Sequence, residues 1–222
     1  MDWLSYSPAD LVPLSRETWL RLLADYNQAH LPIVALGMAL GLLLLGITAH
    51  ATAARLRLAL GLLGACWLWI AWAFFHQALT PLLWAADWLA WGFALQGVLL
   101  LGAALLPMAQ VVEQRWPLSL AWWLLAIAVL GLPLAGFAAG RPWQALGWLG
   151  TAPDPTAVAS LALAAMAPGH RAWLLLAAPA LWCLLSATLL AVFADPLWWL
   201  PPAALALTAV SLARRRAQHH TK

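Results

Sequence analysis

Charge is what this sequence has least of. Only 9% of its 222 residues are Asp, Glu, Lys or Arg, against roughly 25% in a soluble domain. A chain so poor in charge cannot cover a water-facing surface, which excludes a soluble globular protein. Cysteine is nearly absent: Cys66 and Cys183 are the only two, both inside apolar stretches. No CxxC or Cys/His spacing of a zinc site accompanies them, so they read as buried free thiols acting as small hydrophobes. Catalytic signatures are missing as well. There is no HExxH or GxSxG pattern, and Ser186 and Thr188 have no local base. No clear internal repeat is visible, so an inverted-repeat transporter cannot be invoked. The first 31 residues lack a basic region followed directly by an apolar stretch. The first true span is therefore expected to serve as both targeting signal and permanent anchor.

What is abundant is apolar surface: 65% of residues are hydrophobic and the mean hydropathy is +0.84. The fold class this implies is all-α, a polytopic transmembrane helical bundle whose partner is the lipid bilayer. The net charge of +3 does not point to nucleic acid. Arg214, Arg215 and Arg216, with Lys222 beyond, follow a hydrophobic span, as basic clusters do at its cytoplasmic end. Isolated arginines supply neither a groove-filling element nor a stacking platform.

Residues 1–31 form an extracytoplasmic N-terminal segment. Ser15 caps a short helix through Gln28, with Glu17 in its first turn. Trp19, Leu22, Leu23 and Tyr26 recur at helical spacing, so this helix lies along the membrane surface. Pro8 and Pro13 keep the preceding stretch irregular. A transmembrane domain then occupies 32–213, with spans at about 32–50, 58–79, 82–107, 118–139, 154–168, 172–193 and 197–213. A basic cytoplasmic tail covers 214–222.

The fifth span is short, about 22 Å of helix against a hydrocarbon core of roughly 30 Å. It either crosses or re-enters. Charge decides between the two. With seven crossings and the N-terminus outside, Arg55, Arg57, Arg115, Arg171, Arg214, Arg215, Arg216 and Lys222 fall in the cytoplasm, and only Arg16, Arg21 and Arg141 fall outside. Without the fifth crossing, Arg55/Arg57 and Arg214–Arg216 would lie on opposite sides, so the positive-inside rule favours seven. Asp154 before Pro155 reads as an N-cap with proline at the first helical position, and Pro168-Gly169 ends that helix. Pro133 and Pro179 should kink their spans, which membranes tolerate when a neighbour satisfies the freed carbonyl. Gly37 with Gly41, and Gly131 with Ala135 and Ala139, make small-residue faces for close helix packing.

Seventeen tryptophans are the compositional oddity. Ten fit interfacial belts: Trp3, Trp19, Trp84, Trp143, Trp148, Trp198 and Trp199 outside, Trp116, Trp122 and Trp173 inside. Trp67, Trp69, Trp72, Trp88, Trp91 and Trp182 fall deeper, where aromatic packing between helices competes with a ligand pocket.

One polar constellation stands out. His76 lies five residues before Pro81 and Asp87 six after it, so a tight hairpin brings both to similar depth near the outer surface. An unpaired charge there would cost about 2.5–3.5 kcal/mol, and the two can satisfy each other. Gln77, Asn27, Asp154, Thr156, His30 and Asp195 collect on the same side. The candidate site is thus an outward-facing polar pocket of His76, Asp87, Asp154, Gln77, Asn27 and Thr156, lined by Trp69, Trp72 and Trp91. The competing reading is a structural hydrogen-bond network that locks helix ends.

Several stretches carry a resemblance: YNQAHLP from Tyr26, WLWIAWAFFHQAL at 67–79, Phe93-Ala94-Leu95-Gln96, APDPTAVASL at 152–161 and PALWCLLSATL at 179–189. Together they resemble an uncharacterised, Trp-rich family of bacterial multi-pass membrane proteins, a domain of unknown function whose members are sometimes labelled permeases. Leu31 stands where that pattern carries tryptophan. The resemblance implies a bacterial inner-membrane protein and no particular activity or cofactor. Three functions are carried forward: a small-molecule transporter or permease-like protein, a non-catalytic scaffold or partner subunit, and a haem- or quinone-binding enzyme for which His30 and His76 are the nearest axial candidates.

Overall fold

A computed structural model describes residues 14–50, 52–107, 119–167 and 171–220, and every element in it is helical. Helix α1, Arg16–Ala29, opens on Ser15, whose hydroxyl accepts from the Thr18 amide as a capping serine should. His30 alone separates it from α2, Leu31–Ala49, where Pro32 occupies the first turn, a position whose amide has no partner within the helix. There follow α3 (Ala53–Leu79), α4 (Ala86–Leu105), α5 (Leu120–Ala138), α6 (Pro153–Met166), α7 (Arg171–Val192) and α8 (Leu200–His220). Helices α2, α3, α4, α5 and the Leu175–Val192 stretch of α7 are long and apolar enough to cross a membrane. The apolar part of α8, Leu200–Arg214, is shorter. It begins at its prolines, which stand in the first turn and do not break it, and it continues as helix through the arginine run.

α6 is the centre of the bundle. Its 14 residues are buried on every face; only Asp154 keeps some surface open. A helix apolar all round is a core element, and α3, α5, α7 and α8 surround this one. At about 21 Å it is too short to reach both faces of a bilayer by itself.

Two of these helices depart from plain α-helix. Residues Ile70–Leu79 of α3 are π-helical, and so are Ile127–Gly131 of α5, just before Pro133. The Leu132 amide reaches back five residues to the Ile127 carbonyl, so the widened turn absorbs the register that the proline disrupts. Pro179 in α7 is accommodated differently. It has no amide to give Leu175, and the Gln96 side chain of α4 supplies the missing donor, its amide 3.1 Å from that carbonyl.

Glycines set the closest approaches. A Cβ at Gly64 of α3 would stand 2.9 Å from the Gly97 carbonyl of α4, and one at Gly97 would stand 3.0 Å from the Gly64 carbonyl. Gly41 packs on Val129 of α5, and Gly37 takes the Leu149 carbonyl of the loop before α6. The small face of α2 is therefore used within the chain, whereas the atoms nearest a Cβ at Gly131 belong to Ile127 of its own helix. Trp3, Pro8, Pro13, Arg115, Trp116, the Pro168-Gly169 stop and Lys222 lie outside the described residues.

Candidate functional site

Two helix ends build the site with one device. At the end of α5, Gly140 adopts φ +79°; its amide donates to Phe137 and the Arg141 amide to Gly136. At the end of α7, Ala194 adopts φ 51°; its amide donates to Ala191 and the Asp195 amide to Leu190. Both are Schellman ends, and each delivers a charged residue just past the reversal. The two charges meet: Arg141 Nη2 lies 2.9 Å from Asp195 Oδ1. Arg16, in the first turn of α1, places Nε 2.9 Å from Asp195 Oδ2. Asp195, 2% exposed, also accepts from the Leu197 amide. Burial pushes its carboxyl up, but that amide and the two guanidiniums outweigh burial and hold it below the usual carboxylate range.

Asp154 has a different set of partners. It is the second residue of α6, between Pro153 and Pro155, and neither proline offers an amide. It does not cap the helix; the cap position is Ala152, and Thr156 Oγ1 accepts from the Gly150 amide and donates to the Ala152 carbonyl. The Asp154 carboxylate instead crosses to α7, accepting from Trp182 Nε1 at 2.8 Å and from Ser186. Arg141 acts on it through space, but no cation forms an ion pair with it among the described residues.

Enclosed by protein, Asp154 still keeps surface open because it borders a cavity. Arg141, Gly147, Cys183 and apolar side chains from α5, α6, α7 and α8 complete the wall. About 40 Å³ of it is open to water, room for about three molecules. Arg141 lines this wall, and its Nε is buried without a hydrogen-bond partner among the described residues.

The residues expected to form one pocket are divided. His76 Nδ1 does meet Asp87 Oδ1 at 2.8 Å across the hairpin, and Thr80 Oγ1 donates to the same oxygen at 3.0 Å. This pair stands about half exposed and does not border the Asp154 cavity. Gln77 is exposed. Asn27 is buried and clamps the loop before α6 through the Gln144 and Leu146 carbonyls. Thr156 is buried in the turn already described. Trp69 donates to Tyr26 Oη at 2.9 Å, while Trp72 and Trp91 point outward, 55% and 73% exposed. Of the expected pocket residues, Asp154 alone lines the cavity. His30 and His76 each engage Nδ1 with a neighbour. No group of three or more His, Cys, Asp or Glu is placed to hold a metal ion among the described residues. Arg141, Trp182, Ser186 and Cys183 were not among the candidates; the glycine before Arg141 was the one local signal for its placement.

The family of unknown function DUF6064 matches residues 16–222. The chain belongs to it. No curated protein and no solved structure matches. The DUF6064 region begins at Arg16 and spans every helix described above, so Arg16, Arg141, Asp154 and Asp195 all lie within it. Within this DUF6064 chain, the stretches that carried the resemblance bind one another. Trp67 Nε1 donates to Ser160 Oγ at 2.7 Å. Trp182 holds Asp154, Gln96 satisfies the carbonyl that Pro179 frees, and Tyr26 holds Trp69. Phe75, Phe93 and Trp182 close the aromatic core between them, with ring centroids 4.5–5.3 Å apart. Most of these motif residues are thus interhelical contacts, and Asp154 is both a contact and a cavity wall.

Proposed function

We propose that this chain is an integral membrane protein of seven crossings, permease-like, whose outer end holds a water-filled vestibule for a small hydrogen-bonding solute. The observation that carries the reading is the cavity walled by four helices and lined by both Asp154 and Arg141. Its size limits the solute to a few heavy atoms. Pockets for drug-sized ligands run to roughly 300–1,000 Å³.

Charge placement supports the orientation. The three arginines assigned outside, Arg16, Arg21 and Arg141, each have an acidic partner. Arg55 and Arg57, assigned to the cytoplasm of a bacterial inner membrane, bond only backbone carbonyls of His50, Ala104 and Leu105 among the described residues. The positive-inside rule counts Lys and Arg and gives acidic partners little weight, so the orientation rests on the arginine distribution itself. The scaffold alternative loses one of its two faces, since Gly37 and Gly41 are covered within the chain.

The test is osmotic light scattering on vesicles containing the purified protein, challenged with formamide, urea and acetate. Protein-bearing vesicles should re-swell faster than empty ones for at least one solute, and Arg141→Leu should remove the difference. Re-swelling identical to empty vesicles throughout the panel would reject the reading.

A further inference from the structure

The two buried carboxylates at the outer end have opposite surroundings, and this difference points to a division of labour. Asp195 is fixed by two guanidiniums and an amide. Asp154 has neutral partners, Trp182 and Ser186, and faces the cavity. We infer that Asp154 is a proton-binding site of the vestibule, loaded and unloaded through the cavity water. The inference rests on the vestibule reading, because the proton needs a water path.

Every charged or titratable neighbour on the packed elements bears on this balance. From the α5 end comes Arg141, and from the α7 end Asp195, itself held by Arg16 of α1. Cys183 of α7 also faces the carboxylate, and α8 contributes only Leu200 and Pro201 to the wall. With Asp154 ionised, Arg16, Arg141, Asp195 and Asp154 sum to zero formal charge. With it protonated they sum to plus one. The step is simple in atoms: a hydronium ion in the cavity gives its proton to a carboxylate oxygen, an O–H bond forms there, and water remains.

Opposing influences act on the group. Arg141 and the helix start favour the anion. The helix start is weak, however, because prolines at its first and third positions remove two of the amides that would face an anion. Apolar walls favour the acid. A carboxylate with a full cation partner would hold its charge, as Asp195 does; one with an indole and a hydroxyl can exchange it. This is the pattern of two carboxylates whose environments assign them separate roles.

Infrared difference spectroscopy of the wild-type protein in lipid, stepped across about pH 4 to about pH 9, reads the answer directly. Exposed carboxylates are ionised above about pH 5, so a protonated-carboxyl stretch persisting beyond that point marks an enclosed acid. The expected result is such a band, absent in Asp154→Asn. Trp182→Phe deletes one donor to the anion and provides the second arm: it should move the midpoint of the band to higher pH. A spectrum unchanged by Asp154→Asn, or a midpoint unmoved by Trp182→Phe in a folded protein, overturns the inference. Silver-ion labelling of Cys183, which lines the same cavity, separates the two claims. If silver reaches the thiol and no band depends on Asp154, the proton site is wrong and the vestibule stands.

Discussion

Replacing Gln96 with methionine should destabilise the protein only while Pro179 is present. Gln96 is 1% exposed. Its amide nitrogen donates to the Leu175 carbonyl, which proline at position 179 leaves without a helical partner. The other end of the side chain, Oε1, is buried and unpartnered. Methionine preserves the approximate shape and removes both polar atoms. In the native background it strands a buried carbonyl, a loss of about 1–3 kcal/mol in general and nearer about 0.6–1.7 kcal/mol between membrane helices. A Pro179→Ala background restores a backbone amide at that position, which can donate to Leu175, so the same change strands nothing and also removes the orphaned Oε1. Its effect should fall to zero or turn slightly stabilising, giving a coupling of about 1 kcal/mol. The assay is reversible unfolding in mixed detergent micelles for the wild type, both single variants and the double. Equal costs of Gln96→Met in the two backgrounds would refute the reasoning.

Packing and charge yield two more expectations. Gly64→Ala drives a methyl into the Gly97 carbonyl, whereas Gly102→Ala meets nothing within 4 Å; the first should lower stability by about 1–3 kcal/mol and the second should be neutral or raise it by up to about 1 kcal/mol, read as thermal midpoints in detergent. Asp195, whose carboxyl is held below the usual range, contributes stability that is fully present above the unfolded carboxylate value near 3.9. That contribution is lost as pH falls through the lower folded value, so Asp195→Asn should flatten the acid limb of a stability–pH profile and lower stability at neutral pH; an acid limb parallel to the wild type's contradicts this.

The parts of the structure legible in the sequence are those controlled by local rules. Ser15 caps where a serine before a helical pattern should. The hairpin about Thr80 brings His76 to Asp87 because one short turn fixes relative depth. Pro179 announced a carbonyl in need of a donor, but its donor Gln96 is 79 positions from the Leu175 carbonyl in sequence, beyond any spacing rule. α6 was legible as a segment and not in orientation: a helix buried on every side carries no apolar stripe to say which face meets α7. Depth alone therefore groups Asp154 with His76, and the structure turns it toward Trp182. The Asp195 turn was hidden for a different reason. Its left-handed residue is Ala194, where glycine would have marked the reversal as Gly140 marks the one before Arg141.

Silver labelling of sealed, right-side-out vesicles tests the central claim most directly. In a Cys66→Ser chain, Cys183 is the one remaining thiol, and it is 1% exposed at the cavity wall. Silver is a thiol-reactive cation of roughly water's size, and the account predicts about one silver ion bound per folded chain when applied from outside, with bulky maleimides excluded. Silver binding that appears only after the protein is unfolded would show that no aqueous path reaches the Asp154 cavity and would contradict the account.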